Sequence, residues 1–150
     1  ALRDGIQHPA FGVALTLACD WRVMADNAFL YVPEVQIGIP LGWHTVPRLV
    51  NMVGASKAKQ IMLLGHKMDS ATAKEWGLAD WLTPPGQATA FARAQAEQVA
   101  KSPSHVVKMS KQSVNAFANA LNHVATFMDV DQAMVCGQSA EAQKARTQFK

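Results

Sequence analysis

The stretch "HPAFGVALTLACDWRVMADNAFLYVPEVQIGIP", residues 8–40, determines the fold of this chain. Its apolar segment 12–20 begins with a glycine, which predicts a short helix buried on all sides. "WRVMA" and "AFLYVPE" follow as two predicted strands, with the dipeptide "DN" as the turn between them. Pro33 is compatible only with a strand end or an edge position. Directly after it comes a lone carboxylate, Glu34, in an uncharged apolar run.

The chain beyond residue 40 is predicted to be mainly helical. "HTVPRLVNMV" predicts a helix closed by Gly54, and "ASKAKQIMLLG" predicts an amphipathic helix that ends at Gly65. "DSATAKEWG" predicts a helix with Asp69 or Ser70 as N-cap, and "LADWLTPPG" a short extended stretch and turn. Three helical segments follow: "QATAFARAQAEQVAKS", "PSHVVKMSKQSVNAF" and residues 119–149. Two or three short strands do not make a stable sheet, so either part of the sheet is missing or another segment pairs with it.

Composition indicates one globular domain. Of the 150 residues 49% are apolar and only 17% are charged, which is typical of buried helices or a subunit interface. No run of about 18 apolar residues predicts a membrane span, and the beginning of the chain does not resemble a signal peptide. Cys19 and Cys136 lie far apart, as expected for free thiols in a reducing cytoplasm. The net charge of +3 comes from scattered Lys and Arg, which argues against nucleic-acid binding.

The usual catalytic motifs are absent from the sequence: it contains no GxSxG, HExxH, glycine-rich phosphate loop or CxxC pair. The five histidines show no metal-ligand spacing, so no metal site is expected. Glu34 is therefore the main candidate for a catalytic residue. It is either a strand-end carboxylate that caps the next turn, or a base whose pKa is raised by its apolar neighbours.

Several motifs occur here in an order that resembles the crotonase (enoyl-CoA hydratase/isomerase) superfamily. They are "CDWRVMAD", "PEVQIG", "VG", "LLG" and "AKEWGL". The resemblance covers the C-terminal part of a typical member, rather more than half of it. It implies an α/β fold of repeated ββα turns in a spiral, incomplete here, followed by a C-terminal helical region. Residues 1–100 would form the partial spiral core and residues 101–150 the region that assembles homo-oligomers, either trimers or dimers of trimers. The chain lacks an initiator Met, so we expect a processed or truncated protein.

The resemblance also implies acyl-CoA thioester substrates, with coenzyme A as part of the substrate and no separate cofactor. In such proteins two backbone N–H groups stabilise an enolate. The second donor corresponds to Phe11 and Gly12, at the start of the first helix, and the other belongs to an earlier segment of the fold. A helix start leaves N–H groups unpaired at the positive end of the helix dipole, which suits an oxyanion. Family members usually have a run of glycines here, and the Phe11 side chain would narrow or fill the pocket.

Glu34 corresponds to the acid/base glutamate of the family. Hydratases hold the attacking water with a second glutamate, and at that position this sequence has Ala14. The pattern therefore resembles the Δ3,Δ2-enoyl-CoA isomerases of fatty acid metabolism more than the hydratases, which are lyases. Ile39, Leu41 and Trp43 are candidates to line an acyl pocket, although Trp43 is equally compatible with plain core.

A second hypothesis accounts for the same departures from the family pattern. The chain would be a catalytically inert crotonase-like assembly or interaction module with no affinity for acyl-CoA. If these 150 residues are the whole gene product, we expect little activity from them alone, because one oxyanion donor and much of the coenzyme A site would be missing. Asp20 and Arg22 are expected to support the fold.

Overall fold

The computed structural model describes residues 9–149, apart from the side chains of residues 9–11 and of Ala125. Most of these residues are helical, and the strands are short. The helices are α1 (Pro9–Leu17), α2 (Thr45–Lys59), α3 (Ser70–Glu75), α4 (Ala88–Ala100), α5 (Ser104–Ala118), α6 (Asn122–Thr126), α7 (Asp129–Gln138) and α8 (Ala140–Gln148). The strands are β1 (Val23–Ala25), β2 (Phe29–Leu30), β3 (Met68–Asp69) and β4 (Trp81–Thr83). A 3-10 helix spans Glu34–Ile37 and a π-helical turn spans Gln60–Leu64.

Helix α1 starts earlier than the sequence predicted and is not buried on all sides. It begins at Pro9 rather than at residue 12, because proline is favoured in the first helical turn, where its missing N–H costs nothing. Val13 and Leu17 face the core, whereas Leu15 is 54% exposed. The prediction of an all-round buried helix is therefore wrong, since one side of α1 faces outward in the described part of the chain.

The strands pair across long stretches of sequence. Strand β1 runs parallel to β4, with Val23 opposite Trp81, and β2 runs antiparallel to β3, with Leu30 opposite Met68. Both predicted strands in residues 21–34 are present, although each is shorter than predicted. Each sheet has two strands within residues 9–149, which agrees with the expectation that these strands alone are too few for a complete sheet.

A buried ion pair fastens the β1–β4 sheet. Arg22 is 8% exposed, and its Nη2 lies 2.9 Å from Oδ2 of Asp80. The same carboxylate oxygen accepts the backbone N–H of Arg22 at 2.6 Å. Asp20, two residues earlier, pairs with Lys111 and so links α5 to the end of α1. Both residues that the sequence analysis expected to support the fold thus make long-range contacts.

The core lies between α1, α2 and the strands. Its most buried large side chains include Met24, Leu49 and Leu78, none more than 2% exposed. Helix α2 supplies Leu49 and is interrupted at Gly54, whose φ of 76° and ψ of 162° are not helical. The predicted break at Gly54 is therefore present, and the chain resumes as a helix after it. Asp69 caps α3 by accepting the N–H of Thr72, as predicted.

In the C-terminal region α5 is present as predicted, whereas three short helices, α6–α8, replace the single long segment predicted for residues 119–149. Ser139 is extended (φ −67°, ψ 146°), separates α7 from α8, and caps α8 by accepting the N–H of Ala142. Met128 (φ −109°, ψ 10°) lies between α6 and α7. Large apolar side chains on α5–α7 and their connections are exposed: Val106, Met109, Val114, Phe117, Leu121, Val124, Phe127, Met128, Val130, Met134 and Val135. Among the described helices, none is both long and apolar enough to span a bilayer. The boundary at residue 100 stays a prediction.

Candidate active site

Glu34 opens the 3-10 helix Glu34–Ile37, which we call the Glu34 turn. The preceding proline accepts the N–H of Gln36 at 2.8 Å, so the chain turns immediately after β2 instead of continuing as a strand. The turn closes at Gly38, whose φ of 74° is in the left-handed region that glycine adopts readily. The N–H of Ile39 then donates to the backbone oxygen of Glu34 at 3.0 Å. Local backbone hydrogen bonds therefore fix the direction of the Glu34 side chain.

The Glu34 carboxyl group is buried without a partner. The residue is only 3% exposed, and neither carboxylate oxygen has a hydrogen-bond partner among the groups that the structure describes. Burial raises the pKa of Glu34 above its ordinary value, because desolvation penalises the charged form, and the nearby backbone N–H of Glu34 itself opposes this shift by favouring that form. A carboxyl group with a raised pKa and free lone pairs can accept and return a proton near neutral pH.

The far side of the Glu34 turn is fixed by Gln36. Its Oε1 accepts the hydroxyl proton of Tyr31 at 2.6 Å, and its Nε2 donates to the backbone oxygen of Gly65 at 3.1 Å. A Cβ atom at position 65 would lie 2.6 Å from that Nε2, so the glycine permits the close approach. The Glu34 turn is therefore tied to the segment after α2, as well as to its own strand.

The predicted acyl-pocket residues lie on the loop after the Glu34 turn and differ in burial. Leu41 is 4% exposed and belongs to the hydrophobic core. Ile39 is half-buried, and Trp43 is 61% exposed with a φ of 57°. The alternative that Trp43 is plain core is therefore wrong for the described chain. The tryptophan side chain lies at the surface near the loop that carries the acid.

The predicted oxyanion donors lie in the first turn of α1. Phe11 is the third residue of that helix and Gly12 the fourth, and amides in this turn lack intrahelical acceptors. The Phe11 side chain lies outside the described part of the structure. Ala14 lies in the same helix, two positions after Gly12, and is 6% exposed. Its methyl group has no atom that could hold a water molecule.

A small apolar cavity of about 10 Å³ lies between α1, α2 and the β2–β3 sheet. It has room for about one water molecule and none for an acyl chain. Its lining comprises Val13, Leu30, Tyr31, Val32, Leu49, Ile61, His66, Met68 and Leu78. Neither Glu34 nor the three predicted acyl-pocket residues are among them. No group of three or more His, Cys, Asp or Glu suited to a metal ion occurs among the described residues.

Sequence reasoning missed one cluster next to this loop. His44 contacts two residues of the C-terminal helices, Thr126 through its ring and Asp129 through its backbone N–H. Eighty-two and 85 positions separate these partners from His44 in the sequence. No spacing or composition rule connects residues so far apart, so the sequence held no signal for the cluster.

Comparison with known proteins decides the family. The profile of the enoyl-CoA hydratase/isomerase family matches residues 7–150. This chain belongs to that family. The resemblance drawn from the ordered motifs is therefore confirmed, and the incomplete crotonase-like fold with it.

Curated relatives are identical to this family member at about a third of the aligned positions. A Mycobacterium avium protein named probable enoyl-CoA hydratase is 33% identical over 105 residues, which cover 70% of this chain and 41% of the relative. The ethylmalonyl-CoA decarboxylase of Rattus norvegicus is 36% identical over 106 residues, which cover 69% of this chain and 36% of the relative. The chain thus spans about two fifths of the length of these relatives.

Solved structures show the same fold. An enoyl-CoA hydratase from Mycobacterium avium subsp. paratuberculosis superimposes with a TM-score of 0.85 at 24% identity, covering 92% of this chain and 56% of that one. A carnitinyl-CoA hydratase from Mycobacterium avium gives a TM-score of 0.84 at 24% identity and covers 92% of this chain and 54% of that one. At these identities the likeness concerns the fold alone.

Proposed function

We propose that this family member acts on enoyl-CoA thioesters as an isomerase, with Glu34 as the acid/base residue. The observation that carries the proposal is the burial of the Glu34 carboxyl group, whose two oxygens have no hydrogen-bond partner among the groups that the structure describes. An unpaired buried carboxyl group is costly to the fold, and such groups in folded proteins call for an explanation such as proton transfer. Membership of the enoyl-CoA hydratase/isomerase family supports the substrate class.

The proposed reaction moves one proton within the substrate. Ionised Glu34 removes a proton from C2 of a 3-enoyl-CoA, and the electron pair of that C–H bond shifts towards the thioester oxygen. The N–H groups of Phe11 and Gly12 stabilise the resulting dienolate, as one side of an oxyanion hole. Protonated Glu34 then returns the proton to C4, which yields the 2-enoyl-CoA and restores the carboxylate. A lost oxyanion donor typically costs about 2.7–4 kcal/mol of transition-state stabilisation.

Isomerisation is favoured over hydration because of Ala14. Hydration needs a second group to orient the attacking water, and the buried methyl group at this position has none. A single carboxylate is sufficient to move a proton from C2 to C4. Ile39, Leu41 and Trp43 are proposed to border the acyl chain, because they follow the Glu34 turn directly along the chain.

We also propose that the protein forms homo-oligomers through its C-terminal helices and works in the cytoplasm. The many exposed apolar side chains of α5–α7 support assembly, since large apolar side chains concentrated in one region of a chain are usually covered in a protein interface. Phe117 is 89% exposed and Leu121 75% exposed. Two exposed free cysteines, Cys19 and Cys136, support a reducing compartment.

The test is the conversion of a 3-enoyl-CoA to the 2-enoyl-CoA, followed by the absorbance of the conjugated thioester. Glu34→Gln is expected to slow this conversion by about 10²–10⁴-fold, the usual contribution of a positioned base. Glu97→Gln, at an exposed carboxylate on α4, is the matched control and should leave the rate unchanged. Hydration of a 2-enoyl-CoA, measured on the same samples, should remain much slower than isomerisation. Equal rates for the parent and the Glu34→Gln variant would remove Glu34 from the mechanism, and an absence of thioester binding by calorimetry would favour the inert module.

A further inference from the structure

Residues 38–44, the loop that follows the Glu34 turn, are held at one end by helix α8. Gly38 packs directly against Ala142, and a Cβ atom at position 38 would overlap the Cα of that alanine. Ala142 is itself only 3% exposed. The backbone of α8 is therefore in direct contact with the backbone of the loop. Such a close approach requires a glycine that faces a small residue.

The other end of the loop is held by α6 and α7. The N–H of His44 donates to Oδ2 of Asp129 at 3.3 Å. The hydroxyl of Thr126 donates its only proton to the backbone oxygen of Asn122 at 2.8 Å. The same hydroxyl contacts Nδ1 of His44 at 3.0 Å.

The backbone between these contacts is strained. Trp43 and His44 are consecutive residues with φ values of 57° and 55°, in the left-handed region that side-chain-bearing residues seldom occupy. Such a conformation persists only where surrounding contacts hold it. The contacts from Thr126 and Asp129 are made at His44, the second residue of this strained pair, and set the direction in which the loop enters α2.

We propose that α6–α8 form a clamp, made by Thr126, Asp129 and Ala142, that positions the Glu34 turn and keeps water away from its carboxyl group. This inference rests on the proposed function, because it treats Glu34 as the base. The three clamp residues are positioning residues and act through the loop. Since the loop begins directly after the Glu34 turn, movement at either end changes how well the acid is covered.

Two pairs of variants test the clamp. Asp129→Ala removes one contact, and Asp131→Ala is its control, because both aspartates lie in the first turn of α7 and Asp131 is exposed. Ala142→Leu pushes α8 off Gly38, and Ala140→Leu adds the same volume at an exposed position of the same helix. Asp129→Asn keeps an oxygen acceptor and serves as the conservative variant.

The main readout is the titration of the Glu34 carboxyl carbon by NMR, with Glu34→Gln used to assign its signal. Asp129→Ala and Ala142→Leu are expected to lower the pKa of Glu34 towards its ordinary value, because water reaches the carboxyl group. Hydrogen exchange of the amides in residues 36–45 should become about tenfold faster, as for the loss of one hydrogen bond to a charged group. The two control variants should match the parent, and Asp129→Asn should lie nearer the parent than Asp129→Ala.

Failure of the clamp and failure of the proposed function give different results. Faster exchange in α7 or α8 with an unchanged Glu34 titration would overturn the clamp, whatever the activity. A lowered Glu34 pKa in a protein whose turnover does not depend on Glu34 would retain the clamp and overturn the proposed base. If Asp129→Ala does not fold, the Glu34 titration of Ala142→Leu, compared with that of Ala140→Leu, decides whether the clamp covers the carboxyl group.

Discussion

Glu34→Gln should make the folded protein more stable at neutral and alkaline pH, and the gain should depend on pH in a defined way. Glu34 is 3% exposed, and its carboxylate oxygens have no partner within the described residues. Its ionised form is therefore penalised in the folded state and not in the unfolded chain. A glutamine keeps the shape and polarity of the protonated acid but cannot ionise.

The sign follows from the raised pKa of Glu34 in the folded state. Below the ordinary value of 4.5, both states of the parent hold the proton, and the parent and the variant should be about equally stable. Above 4.5 the unfolded chain releases the proton while the folded protein retains it, so the parent loses stability as pH rises through its folded pKa. The loss is about 1.4 kcal/mol for each pH unit by which folding raises the pKa. Above that folded pKa the difference between the two proteins becomes constant.

The assay is urea denaturation of the parent and of Glu34→Gln at several pH values from 4 to 9. The free energies of unfolding should converge at the acid end and diverge in favour of the variant above it. Glu97→Gln, at an exposed position on α4, controls for the loss of one negative charge. A constant difference between the parent and Glu34→Gln across the whole pH range would refute the argument, because it would mean that folding does not change the affinity of this carboxyl group for its proton.

Two further predictions concern the packing of the loop and the exposed helices. Gly38→Ala should destabilise the protein more than Gly86→Ala in denaturation experiments, because φ is positive at both glycines (74° and 80°), yet a Cβ atom at Gly86 would meet nothing within 4 Å whereas one at Gly38 would collide with α8. The two variants should differ by about 1–3 kcal/mol in their free energies of unfolding, as for other overpacked sites. Equal effects would show that α8 moves away from position 38 without loss of stability. Phe117→Asp should shift the sedimentation of the protein towards smaller species, because Phe117 is 89% exposed on the proposed interface. Unchanged sedimentation would place any interface elsewhere.

Much of the candidate site could be predicted from the sequence because its main features are local. Pro33 ends the strand, and Gly38 permits the left-handed residue that closes the turn, so the position of Glu34 follows from its immediate neighbours. The apolar residues around it indicated burial, which the structure confirms. The order of short motifs indicated the family, which the match over residues 7–150 confirms.

The helix ends and the exposed side of α1 could not be predicted from the sequence. Apolar character predicted a fully buried α1, but burial depends on what packs against each side, and nothing among residues 9–149 covers Leu15 fully. The break between α7 and α8 depends on a local choice at Ser139. Its hydroxyl competes with the helix by capping the next one, and propensity alone does not decide that competition.

By itself the sequence determined the family, the order of the helices from α1 to α5, and the presence of one acid in an apolar turn. Only the tertiary structure decided which groups surround that turn. Gly38 contacts Ala142, which lies about 100 positions further along the chain. His44 contacts Asp129, which lies 85 positions further along. Periodicity and turn chemistry depend on residues a few positions apart, whereas these contacts form when whole helices pack. The sequence pattern therefore does not predict them.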